Sequence, residues 1–221
     1  MSFIHDLQKG YSENAAPNNA VAMEKYMKNH FTFHGLKTEA RRKIHKEALE
    51  QNKQEVKANA RELALELYQK TEREYHYSAI EILMKKLKKA FRLEDITLIE
   101  HLLVTHSWWD SVDTISKYLL GGYLQQFPQE RENILAQFSN SENMWLNRSV
   151  ILFQLGYKKE TDVALLFSVC EKHRHSKEFF IQKAIGWALR EYAKTNPRAV
   201  KDFVENANLK PLSTREALKN L

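Results

Sequence analysis

Apolar residues along this chain recur mostly three and four positions apart, and no stretch alternates apolar with polar residues between turn signals. Glycine and proline, which would interrupt such a pattern, occur only 6 and 4 times. The pattern therefore predicts an all-α protein. The predicted helices cover residues 3–10, 18–31, 38–51, 55–70, 72–90, 94–105, 108–126, 129–138, 142–156, 161–174, 177–194, 197–207 and 214–220.

Four short motifs predict where helices begin. Three are capping boxes, in which a serine or threonine is followed three residues later by an acid, and the fourth is an asparagine before a proline. They are Ser107 with Asp110, Thr71 with Glu74, Ser213 with Glu216, and Asn196 with Pro197. The first of these places a helix start at Trp108.

The sequence also repeats weakly with a period of 36 residues. Trp109 and Trp145 are 36 apart (145 − 109), as are Trp145 and Ile181 (181 − 145). Two further sets align on the same offset, namely Leu83, Leu119 and Leu155, and Ala79, Ile115, Ile151 and Trp187. A repeat of this length is typical of HEAT or armadillo solenoids, in which antiparallel helix pairs stack around a concave face. Equivalent tryptophans could line that face, although such a stripe more often marks a core.

Composition limits the class of protein. The 221 residues suffice for one domain or two small ones, and we expect a single domain over residues 1–221. A formal net charge of +6 and a pI near 9.2 allow a polyanionic partner. Cys170 is the only cysteine, and the N-terminal residues lack the apolar run of a signal peptide. No apolar run is long enough to span a bilayer, so we expect a soluble cytoplasmic protein.

The segment of residues 106–113 concentrates two tryptophans and two carboxylates in eight residues. On the predicted helix, Trp109 and Asp113 are four positions apart and share one face. An aromatic ring beside a carboxylate suits a group that carries or develops positive charge. The alternative is a core tryptophan and an acid that the helix dipole favours.

Basic side chains occur on several of the predicted helices. Arg41, Arg42 and Lys43 follow Thr38, Lys158 and Lys159 follow the helix of Trp145, and Arg190 and Lys194 follow Trp187. Such residues on successive repeats could follow a phosphate backbone, so Thr38, Arg42, Lys158, Arg190 and Lys194 are candidate DNA contacts. Alternatively they are solvated faces, which is the better interpretation of the lysine run 85–89.

Several kinds of chemistry have no motif in this sequence. There is no P-loop, no dinucleotide fingerprint, no His-Glu-x-x-His and no zinc-type cysteine set. The groupings of Cys170 with His173 and His175, and of His30 with His34, are weak metal signals. No nucleophilic serine or cysteine with a partnering base is evident. We therefore expect neither a metal nor a cofactor.

Several long stretches together resemble one family, the AlkD-type DNA alkylation repair enzymes, which are monofunctional DNA glycosylases built from HEAT-like repeats. The stretches are Tyr26–Phe31, His106–Asp113, Trp145–Arg148 with Ile151–Leu155, Ser176–Pro197 and Pro211–Ala217. They follow the family's order across nearly the whole chain, with weaker matches at 1–20, 45–105 and 120–140. The resemblance implies an all-α HEAT-like solenoid with a concave DNA-binding face.

Such enzymes excise positively charged N3- and N7-alkylated purines from duplex DNA and need no pocket for a flipped base. By resemblance, Asp113 is the catalytic carboxylate and Trp109 and Trp187 are the aromatic pair. Arg148 matches an arginine that holds the DNA backbone, and Tyr26 matches an aromatic that helps to close the cleft. Some relatives lack the acid and the tryptophans and are inactive, whereas this sequence keeps them. We expect a monomer that acts on duplex DNA with alkylated bases.

Simple chemistry agrees with this implication. Alkylation at N3 or N7 makes the purine a good leaving group, and the glycosidic bond then breaks through an oxocarbenium-like sugar that a fixed carboxylate stabilises. Two alternatives stay open. One is a non-catalytic solenoid that binds DNA structures, and the other is a protein-binding scaffold with tryptophan anchors.

Overall fold

The structure is a computed structural model that describes residues 2–219 and residue 221. The chain divides after Ala90 into two compact units. Both units are helical. Within the described residues no β-strand forms, and the only β-type pairing is an isolated bridge between Thr32 and Glu72.

In the first unit, the residues that the structure describes form six α-helices. They are α1 (Phe3–Glu13), α2 (Pro17–Tyr26), α3 (Thr38–Gln51), α4 (Lys53–Ala58), α5 (Ala60–Tyr68) and α6 (Arg73–Lys86). Helix α1 packs against α3, and α5 packs against α6. Phe3, Leu7 and Tyr11 on α1 are fully buried, because they recur at helical spacing on the face that meets α3.

Over its described residues, the second unit contains nine α-helices, one π-helical segment and two 3₁₀ turns. The α-helices are α7 (Asp95–Val104), α8 (Trp109–Thr114), α9 (Gly121–Gln126), α10 (Arg131–Ser139), α11 (Met144–Leu152), α12 (Val163–His173), α13 (Phe179–Ala193), α14 (Pro197–Asn206) and α15 (Pro211–Ala217). A π-helical segment, Ile115–Leu120, joins α8 to α9, and 3₁₀ turns cover Pro128–Glu130 and Lys158–Glu160. Helix α11 is central, since it packs against α7, α8, α10, α12 and α13.

The predicted helices correspond to observed ones, with three informative differences. The predicted helix 55–70 divides at Asn59, whose N–H closes α4 on Glu55 while its carbonyl accepts from Leu63 at the start of α5. The predicted helix 108–126 widens into the π-helical segment, where Ser116 Oγ donates to the Val112 carbonyl at 2.6 Å. A serine that bonds the preceding turn in this way bends a helix. The last predicted helix, 214–220, is instead Pro211–Ala217, and Asn220 lies outside the described residues.

All three predicted capping boxes are wrong, whereas the Asn196–Pro197 start is confirmed. Asn196 accepts the Ala199 N–H at 3.1 Å. In each failed box another partner takes the side chain, and for Glu74 and Ser213 that partner is distant in sequence, which a local pattern cannot reveal. Ser107 donates to the Leu103 carbonyl at 2.6 Å, Glu74 accepts the N–H groups of Gly35 and Leu36, and Ser213 donates to the Gln182 carbonyl. Helix α8 consequently begins at Trp109, one residue later than predicted.

The 36-residue offset mainly marks core positions. Leu83, Leu119 and Leu155 are all buried. Ala79, Ile115 and Ile151 of the second set are buried as well, whereas Trp187, the last member of that set, is only partly buried. Trp109 and Trp145 on the same offset are also only partly buried, so the offset marks core positions at its aliphatic members and not at its tryptophans.

Gly186 permits an unusually close approach between α13 and α15. A Cβ there would lie 2.3 Å from the Glu216 Cβ and 2.9 Å from the Ser213 carbonyl oxygen. We expect Gly186→Ala to lower the free energy of unfolding by about 1–3 kcal/mol, because overpacking outweighs the gain in helix propensity.

Urea unfolding measures this effect, with Gly122→Ala as the matched control. The Cβ added at Gly122 meets the movable ring of Phe91 at 3.0 Å and no backbone atom, so its cost should be smaller. Unchanged or increased stability of Gly186→Ala would show that α15 shifts freely on α13.

Candidate functional site

Asp113 and Arg148 form a two-pronged ion pair between α8 and α11. Arg148 Nε donates to Asp113 Oδ1 at 2.7 Å, and Arg148 Nη2 donates to Oδ2 at 2.9 Å. The two side chains are only 12% and 5% exposed, respectively. Parallel hydrogen bonds of this kind fix the plane of a carboxylate as well as its position. Asp113 is therefore held in one orientation at the end of α8.

Arg148 also connects this pair to α13. Its Nη1 donates to the carbonyl oxygen of Phe180 in the first turn of that helix. One guanidinium thus joins α8, α11 and α13. The sequence indicated Arg148 as a contact to the DNA backbone, but the structure places its guanidinium against partners within the protein.

The environment of Asp113 shifts the pKa of its carboxyl group upward. Burial raises the pKa of Asp113, and the nearby charge of Asp110 adds to that effect, whereas the hydrogen bonds and charge of Arg148 oppose it. The net direction is upward from the ordinary value despite the arginine. Asp113 is therefore a carboxylate whose ionised form depends on Arg148.

The two adjacent tryptophans have different surroundings. Trp109 is the first residue of α8, four positions before Asp113, and both side chains are partly buried. Trp108 is extended, and its ring centroid lies 5.8 Å from that of Trp145 and 5.2 Å from that of Phe180. Trp145 and Phe180 are themselves 5.1 Å apart. Trp145 therefore belongs to an aromatic cluster, although it is only partly buried.

The contacts of Trp108 and Phe180 with Trp145 were not predicted from the sequence, although a signal was present. Trp145 follows Trp108 by 37 residues (145 − 108) and precedes Phe180 by 35 (180 − 145). Each spacing differs from the 36-residue period by one residue. The cluster lies at the starts of α8, α11 and α13, the same three helices that Arg148 joins.

Trp187 lies in the middle of α13 and is partly buried. Lys183 and Arg190 stand four positions before it and three after it, and both pair with Glu216 on α15. Arg190, which the sequence indicated as a DNA contact, is thus engaged within the protein. Because α8 and α13 both pack on α11, the helices that carry Trp109, Asp113 and Trp187 are parts of one unit.

A family model described as DNA alkylation repair enzyme matches residues 7–221 of this chain. The chain belongs to the DNA alkylation repair enzyme family. Among solved structures, a protein of Enterococcus faecalis described as a predicted DNA alkylation repair enzyme is 36% identical, with a TM-score of 0.81. The match covers 93% of this chain and 95% of that one. No curated protein is similar enough to this chain to count as a match.

Membership of the DNA alkylation repair family confirms the resemblance seen in the sequence, and the structural match confirms the all-α fold with it. The family match begins in the first unit and runs through the second, so it includes every candidate residue named above. A family of DNA repair enzymes implies DNA as its substrate.

Three of the candidate DNA contacts lie in the first unit of this family member. Tyr26 ends α2 and is 67% exposed, and Thr38 is the exposed first residue of α3. Arg42 is exposed and donates to Glu81 at 2.9 Å, together with the buried Arg41. Burial opposes ionisation of Glu81, but hydrogen bonds from a neighbouring histidine and both arginines hold its pKa well below the usual range. Glu81 therefore anchors the basic start of α3.

Lys158 and Lys194 share one surface of the second unit. Both line a cavity of about 630 Å³ whose apolar wall includes Ile151 and Leu166. Lys158 is exposed and adopts a left-handed backbone with φ of 57°, whereas Lys194 pairs with Glu191 at 2.6 Å. The two lysines indicated by the sequence are thus close to one surface opening.

The possible metal ligands are not gathered in the described part of the family fold. No group of three or more histidine, cysteine or acidic residues there could hold an ion. Cys170 is fully buried, and burial raises the pKa of its thiol. Burial, with a smaller contribution from Lys172, lowers the pKa of His173 to about 4. Over the same residues, no helix combines the length and apolar character needed to cross a bilayer.

Proposed function

We propose that this protein is a DNA glycosylase that hydrolyses the N-glycosidic bond of positively charged N3- and N7-alkylated purines in duplex DNA. The expected substrates are 3-methyladenine and 7-methylguanine, and the expected product is an abasic site. The observation that carries the proposal is the fixed carboxylate of Asp113, one helical turn after Trp109. Family membership supports the setting, namely the repair of alkylated DNA.

Asp113 would act on the sugar. As the bond to a cationic purine breaks, positive charge moves onto the deoxyribose, which becomes oxocarbenium-like. A carboxylate held by two hydrogen bonds needs no reorganisation to stabilise that charge, which is the main advantage of electrostatic preorganisation. The faces of Trp109 and Trp187 would add cation–π and van der Waals attraction.

Asp113 could also orient or deprotonate the attacking water. Each carboxylate oxygen has a second lone pair besides the one directed at Arg148. The raised pKa of Asp113 brings the carboxylate closer to the range in which a general base is effective. A carboxylate that is both a base and an electrostatic partner is common in glycoside hydrolysis.

Arg148 would act through Asp113 and not through a phosphate. Its hydrogen bonds to Asp113 and to the Phe180 carbonyl all go to protein acceptors, and its side chain is 5% exposed. We infer that it keeps Asp113 ionised and aligned. Contacts to the DNA backbone fall instead to the exposed Tyr26, Thr38, Arg42, Lys158 and Lys194. Neutralisation of phosphates by Arg42, Lys158 and Lys194 would release counterions and make binding weaken as salt rises.

A second function, non-catalytic binding of DNA, is favoured by one feature of the ion pair. Because Arg148 neutralises Asp113, the carboxylate does not repel a phosphate backbone strongly. Its presence alone therefore does not require catalysis. Under this alternative, Trp109 and Trp187 only shape a surface for DNA, and no base is released.

Incubation with methylated duplex DNA distinguishes the two functions. We expect abasic sites, counted with an aldehyde-reactive probe at neutral pH, to accumulate beyond those in the same DNA incubated without protein. No lysine nucleophile is needed for this chemistry, so the strands should remain intact. Binding of methylated DNA without additional abasic sites would favour the non-catalytic alternative.

A further inference from the structure

Glu216 lies between two cations of the neighbouring helix. Its Oε1 accepts from Lys183 Nζ at 2.9 Å, and its Oε2 accepts from Arg190 Nη1 at 2.9 Å. Arg190 Nη1 also donates to the Glu216 backbone carbonyl at 3.1 Å. The Glu216 side chain is 12% exposed, and the hydrogen bonds from Lys183 and Arg190 lower its pKa to about 2. Glu216 is therefore ionised at any working pH.

The two cations flank Trp187. Lys183 precedes Trp187 by four residues and Arg190 follows it by three, so all three lie along one face of α13. Helix α15 lies close to residues 182–186 of α13. Gly186 has no side chain and lets the Glu216 Cβ approach, and Ser213 Oγ donates to the Gln182 carbonyl at 3.0 Å. The carboxylate of Glu216 thus spans the helical turn that carries Trp187.

Charge decides what this arrangement does near DNA. Lys183 and Arg190 are 38% and 25% exposed, so solvent and a phosphate could reach them if Glu216 did not hold them. A guanidinium or ammonium that turned to a phosphate would pull on the turn of Trp187. Two uncompensated positive charges there would also oppose the positive charge that develops on the sugar.

We propose that Glu216 is a positioning residue that withholds Lys183 and Arg190 from the DNA phosphates and keeps the turn of α13 around Trp187 fixed and electrically compensated. This role rests on the proposed glycosylase function for its effect on base release. The effect of Glu216 on DNA binding does not depend on catalysis. The glycosylase proposal and the proposal for Glu216 can therefore fail separately.

Glu216→Gln tests the proposal, because glutamine has nearly the same shape but no charge. We expect tighter binding of undamaged duplex, and a plot of log affinity against log salt that is steeper by about one to two, because each freed cation that meets a phosphate adds about 0.9. Single-turnover release of 7-methylguanine should become about 10-fold slower. A merely structural glutamate would weaken binding and excision together and would leave the salt slope unchanged.

A reversal variant and an independent variant complete the experiment. In the double variant Glu216→Gln/Arg190→Gln, the slope of log affinity against log salt should be shallower by about one than in Glu216→Gln. The reason is that one of the two freed cations has been removed. Lys183→Met leaves Glu216 paired with Arg190 and should keep the wild-type slope, because Lys183 does not reach phosphate in the intact protein. A slope that drops by about one in Lys183→Met overturns the proposal, as does an unchanged slope in folded Glu216→Gln.

If the wild type releases no base, the glycosylase proposal fails and the salt slopes still decide the role of Glu216. A steeper salt slope in Glu216→Gln then supports the proposal that Glu216 keeps Lys183 and Arg190 away from the phosphates. An unchanged salt slope contradicts that proposal. Circular dichroism of each variant confirms that the helices are intact before binding is measured.

Discussion

Asp113→Asn should slow base release by about 100- to 1000-fold, the range found when one preorganised electrostatic partner of a transition state is removed. Asparagine keeps the Oδ1 acceptor for Arg148 Nε but has no charge to offer the sugar. The fold should persist at reduced stability, because Arg148 loses its charge partner, and binding to duplex DNA should hold or improve because a negative charge is lost. Single-turnover excision of 7-methylguanine measures the rate, and an abasic-site duplex measures the binding.

The pH profile of the wild type gives an independent check on Asp113. Burial raises its pKa, so the carboxylate protonates at a higher pH than an ordinary aspartate. Excision should therefore decline on the acid side, beginning above the usual range for aspartate. In Asp113→Asn this acid limb should disappear. Equal rates for the two proteins, or an identical acid limb, would remove Asp113 from the mechanism.

Arg148→Met should reduce stability and activity together. It leaves Asp113 buried without its partner, and breaking one side of a buried ion pair costs about 3–5 kcal/mol. Loss of the arginine should raise the pKa of Asp113 further, since Arg148 is the group that opposes burial. Less carboxylate is then present near neutral pH. Excision should fall by about 100-fold at pH 7 and recover in part as the pH rises.

Arg148→Lys is the matched control for this variant. Lysine keeps the positive charge but cannot make the two parallel hydrogen bonds of a guanidinium. The pH profile of excision by Arg148→Lys should stay nearer to that of the wild type than the profile of Arg148→Met does. The excision rate should still be lower than in the wild type, because lysine holds the Asp113 carboxylate less firmly. If instead Arg148→Met weakened DNA binding without altering the pH profile, Arg148 would be a phosphate contact.

The sequence predicted most helices because helical spacing of apolar residues is a local property. The predicted helix 38–51 coincides with α3, and the start at Asn196 follows from a local cap. The capping boxes failed for the opposite reason. Glu74 and Ser213 have partners 38 and 31 residues away, at Leu36 and Gln182, and no local pattern encodes such contacts.

The sequence proposed the residues of the candidate site but did not indicate which of them contact one another. The spacing of Trp109 and Asp113 on one helix indicated an aromatic and a carboxylate together, and the family resemblance added Arg148 and Trp187. Sequence alone did not indicate that Arg148 binds Asp113, 35 residues earlier, or that Glu216 holds Arg190. Both pairings depend on which helices pack, because α11 meets α8 and α13 meets α15.

The most direct test of the glycosylase proposal is detection of the free base. Wild type in excess over a duplex that contains a single 7-methylguanine should release that base in one exponential phase, measured by mass spectrometry of the low-molecular-weight fraction. Asp113→Asn, shown to bind the same duplex, serves as the control and should release almost none. Release by the wild type alone is the result that we predict. No free base from 7-methylguanine or 3-methyladenine duplexes, despite binding, would contradict it and would leave a non-catalytic DNA-binding protein.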